Sequence, residues 1–152
     1  MRFVYHALAG AEKLILKDDS YTHTIKARRV KVGEKIDTSD LINPIMHSYE
    51  IESIGRKEAV LALQSSFSIH LPKLKEIVVS WGMVDPKIVE KTLPMLNEMG
   101  VKTAALVRLD YSQGNFKYDE TRMERILINS SMQCGRMEIM AAEGRELYSQ
   151  LI

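Results

Sequence analysis

Cysteine is almost missing from this chain of 152 residues: Cys134 is the only one, which rules out an intramolecular disulfide and a cysteine-based zinc site. The histidines His6, His47 and His70 show no metal-type spacing, so no metal is expected. No apolar run approaches the ~20 residues that span a bilayer. The opening Met1-Arg2-Phe3-Val4-Tyr5-His6 lacks the apolar core and cleavage site of a signal peptide. The expectation is a cytoplasmic protein without a membrane partner. An excess of one charge is missing too: the net charge is +1, so any nucleic-acid footprint must be local. Up to residue 75 there are 12 Lys/Arg against 9 Asp/Glu, and after it 9 against 11, a mildly basic front and a mildly acidic back. What is present is an ordinary soluble composition, 45% apolar and 27% charged, able to bury a core in one domain or two small ones.

Residues 1–72 favour short strands. Lys13-Leu14-Ile15-Leu16 is a brief apolar run, with Asp18-Asp19-Ser20 after it as a turn. Thr24 to Val32 alternates loosely until Gly33-Glu34 breaks it. Tyr49 to Ile54 alternates with period two, Gly55-Arg56-Lys57 makes a turn, and Glu58 to Leu63 supplies the partner strand of a hairpin. Strands at this spacing suggest a small barrel. Ser65 to Lys75, with Pro72, looks like a linker.

The pattern then changes to α/β. Ile77 to Val84 is a continuous apolar run, as in a strand covered on both faces. Asp85-Pro86 starts a helix as N-cap and first residue, Ile88, Thr92, Leu93, Leu96 and Met99 give its buried stripe, and Gly100 ends it. Pro94 should kink this helix or leave its first turn separate. Val101 to Leu109 is a second buried strand, followed by a loop over 110–119. Asp119 then caps a helix whose buried face carries Met123, Ile126, Leu127 and Ser130, and Gly135 can take the left-handed conformation that stops it. Arg136 projects from that corner with a planar donor fork suited to phosphate. Glu138 to Leu151 reads as a helix or a frayed tail.

Arg28, Arg29 and Lys31 lie close together, with Lys26 nearby. On an alternating strand Arg29 and Lys31 share one face. Such a cluster clamps RNA phosphate or, more plainly, solvates a strand edge.

The segment Ile126 to Arg136 resembles the I-x-I-x-x-x-x-Q-C-G-R stretch of the 16S ribosomal RNA (uracil-N3)-methyltransferase family. Two further stretches resemble the same family in the same order: Met1 to Val4 with His23 to Glu34, and Lys91 to Val101. The family's enzymes join a PUA-like RNA-binding β-barrel to a knotted α/β methyltransferase domain of the SPOUT class. The resemblance therefore implies an all-β barrel over 1–72 and the first part of an α/β SPOUT domain over 73–152. The family's glycine-rich cofactor loop and knot segment find no counterpart, so the chain reads as truncated. S-adenosylmethionine is the implied methyl donor, and the chain alone is expected not to bind it tightly.

Implied RNA contacts are Arg28, Arg29, Lys31, Lys91, Gln133 and Arg136. Arg29 falls at the family's recurrent arginine, whereas Arg28 stands where an apolar residue is usual. Lys91 and Glu98 come near the family's substrate cleft, and Gln133 can read a base edge. His23 is expected to satisfy a local hydrogen bond. Cys134 is expected to be a small buried residue rather than a nucleophile. Met123 departs from a usual tryptophan and Met132 from a frequent acidic residue. Implied partners are 16S ribosomal RNA or the small subunit, and a second copy in a homodimer. Two other readings stay open: a non-catalytic RNA-binding fragment, and an interaction protein whose exposed sheet edge needs a partner chain.

Overall fold

A computed structural model describes residues 2–71, 75–109 and 117–145. The chain forms two compact units, Met1–Pro72 and Lys73–Ile152.

The first unit is a five-stranded sheet in the order β1-β3-β4-β5-β2, formed by β1 (Val4–Tyr5), β2 (Lys13–Lys17), β3 (Lys35–Ser39), β4 (Ile45–Ile54) and β5 (Glu58–Ser68). Strict alternation drives β2: Leu14 and Leu16 are buried while Ile15 faces out. Residues β4 and β5 make the expected hairpin, closed where the Gly55 N–H donates to the Glu58 carbonyl at 2.8 Å. Its pairing shifts register at Ser48/Tyr49 and at Ile51/Ser53, which is why the alternation looks imperfect in sequence. The core gathers Leu14, Leu16, Tyr21, Ile25, Ile36, Tyr49, Ile51, Ala59 and Leu61. Tyr49 sits at its centre. The Tyr49 hydroxyl donates to the Ala11 carbonyl at 2.6 Å and accepts from the Gly10 N–H at 2.9 Å.

Three expectations fail here. Asp18 to Ser20 is not a turn but the start of α1 (Asp18–Tyr21), which continues as a π-helical segment, Thr22–Lys26. Thr24 to Val32 is therefore not a strand. Tyr21, Thr24 and Ile25 are all buried, a helical spacing that lets one face of this segment cover the sheet. Nor are Ser65 to Ser68 part of a linker, because they pair with Ser48 to Ile45 inside the hairpin. Their side chains are exposed, so only backbone pairing with a distant strand reveals them.

The second unit is a parallel sheet in the order β6-β7-β8, with β6 (Val78–Gly82), β7 (Thr103–Val107) and β8 (Ala141–Arg145). Helices α2 (Pro86–Glu98) and α3 (Glu120–Cys134) form the crossovers and pack on each other. Both helix starts are as expected: Asp85 accepts from the Lys87 N–H at 2.8 Å, and Asp119 accepts from the Arg122 N–H at 3.0 Å. Gly100 and Gly135 both have φ +85°, the left-handed exit that an L side chain resists.

The region from Glu138 is not a helix or a tail through residue 145: Ala141 to Arg145 pair in parallel with Thr103 to Val107. A buried neighbouring strand overrides the weak local preference of Ala-Ala-Glu-Gly. Within this sheet β6 is an edge, with Val78 57% exposed, so it is not covered on both faces. The buried stripe of α2 is Val89, Leu93 and Asn97, while Ile88 and Met99 are exposed. Adjacent apolar residues at 88 and 89 leave the helix face undecided in sequence. Helix α2 runs through Pro94 as one element, without a separate first turn. The expected loop over 110–119 and the tail beyond 145 fall largely outside the described residues.

Candidate nucleic-acid interface and helix-end cluster

In the first unit Arg28 and Arg29 lie in the turn that leaves the π-helical segment, and Lys31 follows in the next loop. The pairing of Arg29 with Lys31 on one strand face is thereby corrected. The Arg29 backbone has φ 54°, and its N–H donates to the Lys26 carbonyl at 3.3 Å. All three side chains are exposed, and none forms an ion pair among the described residues. Lys26 lies over the Tyr21 ring, 5.4 Å from its centroid.

His23 is exposed on the same segment. The His6 ring accepts from the Leu8 N–H at 3.1 Å, and His47 meets the Ser66 hydroxyl at 2.7 Å. No metal-ligating cluster occurs among the described residues.

In the second unit the C-terminal ends of α2 and α3 are bolted together by a buried polar network. The Asn97 amide donates to the Ser130 and Ser131 hydroxyls, each at 3.1 Å. Ser130 donates onward to the Pro94 carbonyl and Ser131 to the Glu138 carbonyl, both at 3.3 Å. Arg136 completes it: one guanidinium nitrogen donates to the Asn97 carbonyl at 3.0 Å, the Asn97 side-chain oxygen at 3.2 Å and the Val101 carbonyl at 2.7 Å. Arg136 therefore does not project from the corner; it folds back onto the Asn97 carbonyl near the end of α2 and the Val101 carbonyl that leads into β7. Burial lowers its pKa, partly offset by the neighbouring Glu138 and Cys134. An always-charged fork can occupy such a site because three oxygens replace its water.

This network shapes a cavity of about 310 Å³ lined by Pro94, Glu98, Ser130, Gln133 and Cys134. Glu98 and Gln133 are thus brought together. Lys91 is exposed on α2 and does not line the cavity. Cys134 is half-buried, its thiol 3.8 Å from the Ser131 carbonyl. Asn97 was not singled out in the sequence. The available signal was a polar residue in register with Val89 and Leu93, at a spacing that a helix buries.

The helices run opposite to the strands they connect, so this cavity lies toward the amino ends of β7 and β8. Cofactors in open α/β sheets gather at the carboxyl ends. A second cavity, about 670 Å³, runs between α3 and the β8 segment and is lined by Glu120, Thr121, Met123, Glu124, Leu127, Ile139, Met140 and Ala142.

Comparison with known proteins agrees with this architecture. A family model described as RNA methyltransferase domain matches residues 71–151. A Helicobacter pylori protein named ribosomal RNA small subunit methyltransferase E is 38% identical over 146 residues, 94% of this chain and 65% of that protein. The chain thus spans somewhat under two thirds of that relative's length. Among solved structures, a probable rRNA-methyltransferase from Porphyromonas gingivalis matches with a TM-score of 0.85 at 18% identity, covering 99% of this chain and 63% of that one. A ribosomal RNA small subunit methyltransferase E from Neisseria gonorrhoeae, solved with S-adenosyl methionine, matches with a TM-score of 0.80 at 16% identity, over 99% of this chain and 64% of that one. These structures share the fold. With the family model covering more than half of its residues, the chain belongs to the RNA methyltransferase domain family.

Proposed function

We propose that this chain serves S-adenosylmethionine-dependent methylation of small-subunit ribosomal RNA, at N3 of a uridine. The observation that carries the proposal is the 38% identity to a small-subunit methyltransferase sustained over 146 residues. In this reading Met1–Pro72 is a PUA-like RNA-binding barrel, and Lys73–Ile152 is the first part of a SPOUT domain. The cytoplasm and a homodimer belong to the same reading.

Arg28, Arg29 and Lys31 hold RNA phosphate, where each neutralised phosphate releases counterions and makes affinity salt-dependent. Lys91 adds a further phosphate contact on α2. Glu98 and Gln133 meet RNA at the helix-end cavity, because that end of a parallel sheet is not where a cofactor sits. Gln133 offers an amide that can donate and accept at a base edge. Arg136 acts there through Asn97, fixing the two helix ends from which Glu98 and Gln133 extend.

The methyl donor supplies an electrophilic methyl group when bound. The residues lining the helix-end cavity do not make the glycine-rich loop the donor calls for, so no step is routed through it. What these residues can contribute is a hold on the RNA at the amino ends of the strands, away from the end at which the donor is met.

The test is a graft. This chain replaces the matching part of the Helicobacter pylori relative, and nucleosides of 16S RNA are analysed by mass spectrometry after incubation with the donor. The expected product is 3-methyluridine. A folded graft that binds the donor and leaves the RNA unmodified would overturn the proposal. Separately, calorimetry of the chain alone should show no tight donor binding.

A further inference from the structure

We propose that the RNA-gripping surface of the first unit is assembled from two loops distant in sequence, with Arg56 and Lys57 of the β4–β5 turn joining Lys26, Arg28, Arg29 and Lys31. The proposal rests on the RNA reading above and adds residues that nothing in the sequence pattern marked.

Tyr21 is the link. Its hydroxyl donates to the Gly55 carbonyl at 2.7 Å, and its ring carries Lys26 on one face. The hairpin turn is therefore pinned against the π-helical segment. Gly55 closes onto Glu58, which leaves Arg56 and Lys57 at the tip, both exposed. The loop bearing Lys31 is anchored to the same strand: the Gly33 N–H donates to the Ile51 carbonyl at 2.9 Å, and the Ile51 N–H donates to the Glu34 carbonyl at 2.9 Å. Ile51 and Gly55 are four residues apart, roughly 13 Å along a strand. That span can meet more than one phosphate.

The charges are available. Lys26, Arg28, Arg29, Lys31, Arg56 and Lys57 form no ion pair among the described residues, whereas Glu58 is held by Lys17 at 3.3 Å and Glu52 by Lys13 at 2.9 Å. Asp18 and Asp19 are the acidic residues on the same helical run. Tyr21 is 5% exposed, so its ring offers no platform on which a base could stack. Phosphate contacts made by such cations position the RNA and carry no sequence information. The surface thus delivers RNA of any sequence, and base choice is left to the other unit.

The experiment is filter retention of a 16S ribosomal RNA transcript by the full chain across a potassium chloride series. R56E/K57E should weaken retention at least tenfold at low salt. It should also flatten the slope of log K against log salt by roughly 1.4, at about 0.7 per phosphate contact on a single strand. Tyr21→Phe removes the link while keeping the ring, and should weaken retention severalfold. If R28E/R29E/K31E weakens retention and R56E/K57E does not, the two-loop surface is wrong and the RNA reading survives. If neither affects it, both fail. Binding to phosphatidylserine vesicles without RNA retention also overturns the proposal. Thermal melting checks folding, and R56Q/K57Q reads the same slope should the glutamates unfold the chain.

Discussion

The two compact units hold themselves together by different means. In Met1–Pro72 an apolar cluster forms the core, and the buried Thr38 and Ser39, like the hydroxyls of Tyr21 and Tyr49, pair with backbone groups rather than with one another. In the second unit a fully buried Asn97 stands among Ser130, Ser131 and Arg136, and each member satisfies another. An apolar core loses stability in proportion to the volume removed. A closed polar network loses it by stranding the partners of whatever is removed. The same contrast governs the arginines. Those at 28 and 29 face solvent and can take a ligand, while Arg136 is already committed to three oxygens.

The largest expected effect is in the first unit. Leu61→Ala should cost about 4 kcal/mol, because Leu61 is fully buried against the hairpin core. Hydrogen exchange resolved by residue should show the loss in that unit and not in the second. Asn97→Ala comes next, at about 2–3 kcal/mol, through two serine hydroxyls that each lose a donor and a guanidinium nitrogen short of one acceptor. Urea unfolding measures it. If Asn97→Leu proves as stable as wild type, the network is not what joins the two helices.

Asp119→Ala should cost about 1 kcal/mol by removing the cap of α3. Smaller still is an alkaline effect common to both units. Burial raises the pKa of Tyr49 and of Tyr118, against the lowering effect of the hydrogen bonds each receives. A raised folded pKa means stability is complete below the unfolded value of about 10 and declines as pH rises from there through the folded value. Tyr49→Phe should flatten that decline in a melting series above pH 10. Last, Lys13→Ala should change stability by less than about 0.5 kcal/mol, since its pair with Glu52 is exposed.

Elements whose signals are local were legible in advance. The hairpin turn at Gly55, the cap and proline at Asp85-Pro86, and the cap and glycine stop of α3 each depend on a few adjacent residues. Elements whose partners are distant were not. Ser65 to Ser68 carry no apolar alternation, and Ala141 to Arg145 carry no strand signal strong enough to stand alone. The candidate site divides in the same way: Gln133 and Glu98 were visible as residue types and Ser130 as part of a buried face, whereas Asn97 and its bonds to Ser130 and Ser131 became visible only once α2 met α3.

By itself the sequence determined the charge pattern, the order of a strand-rich front and an α/β back, and the ends of both long helices, because backbone capping and turn chemistry act within a few residues. Tertiary structure alone decided which way the charges point. Arg136 turned inward because the oxygens of Asn97 and the Val101 carbonyl lay within its reach, and Thr22 to Lys26 coiled because Tyr21, Thr24 and Ile25 could bury one face together.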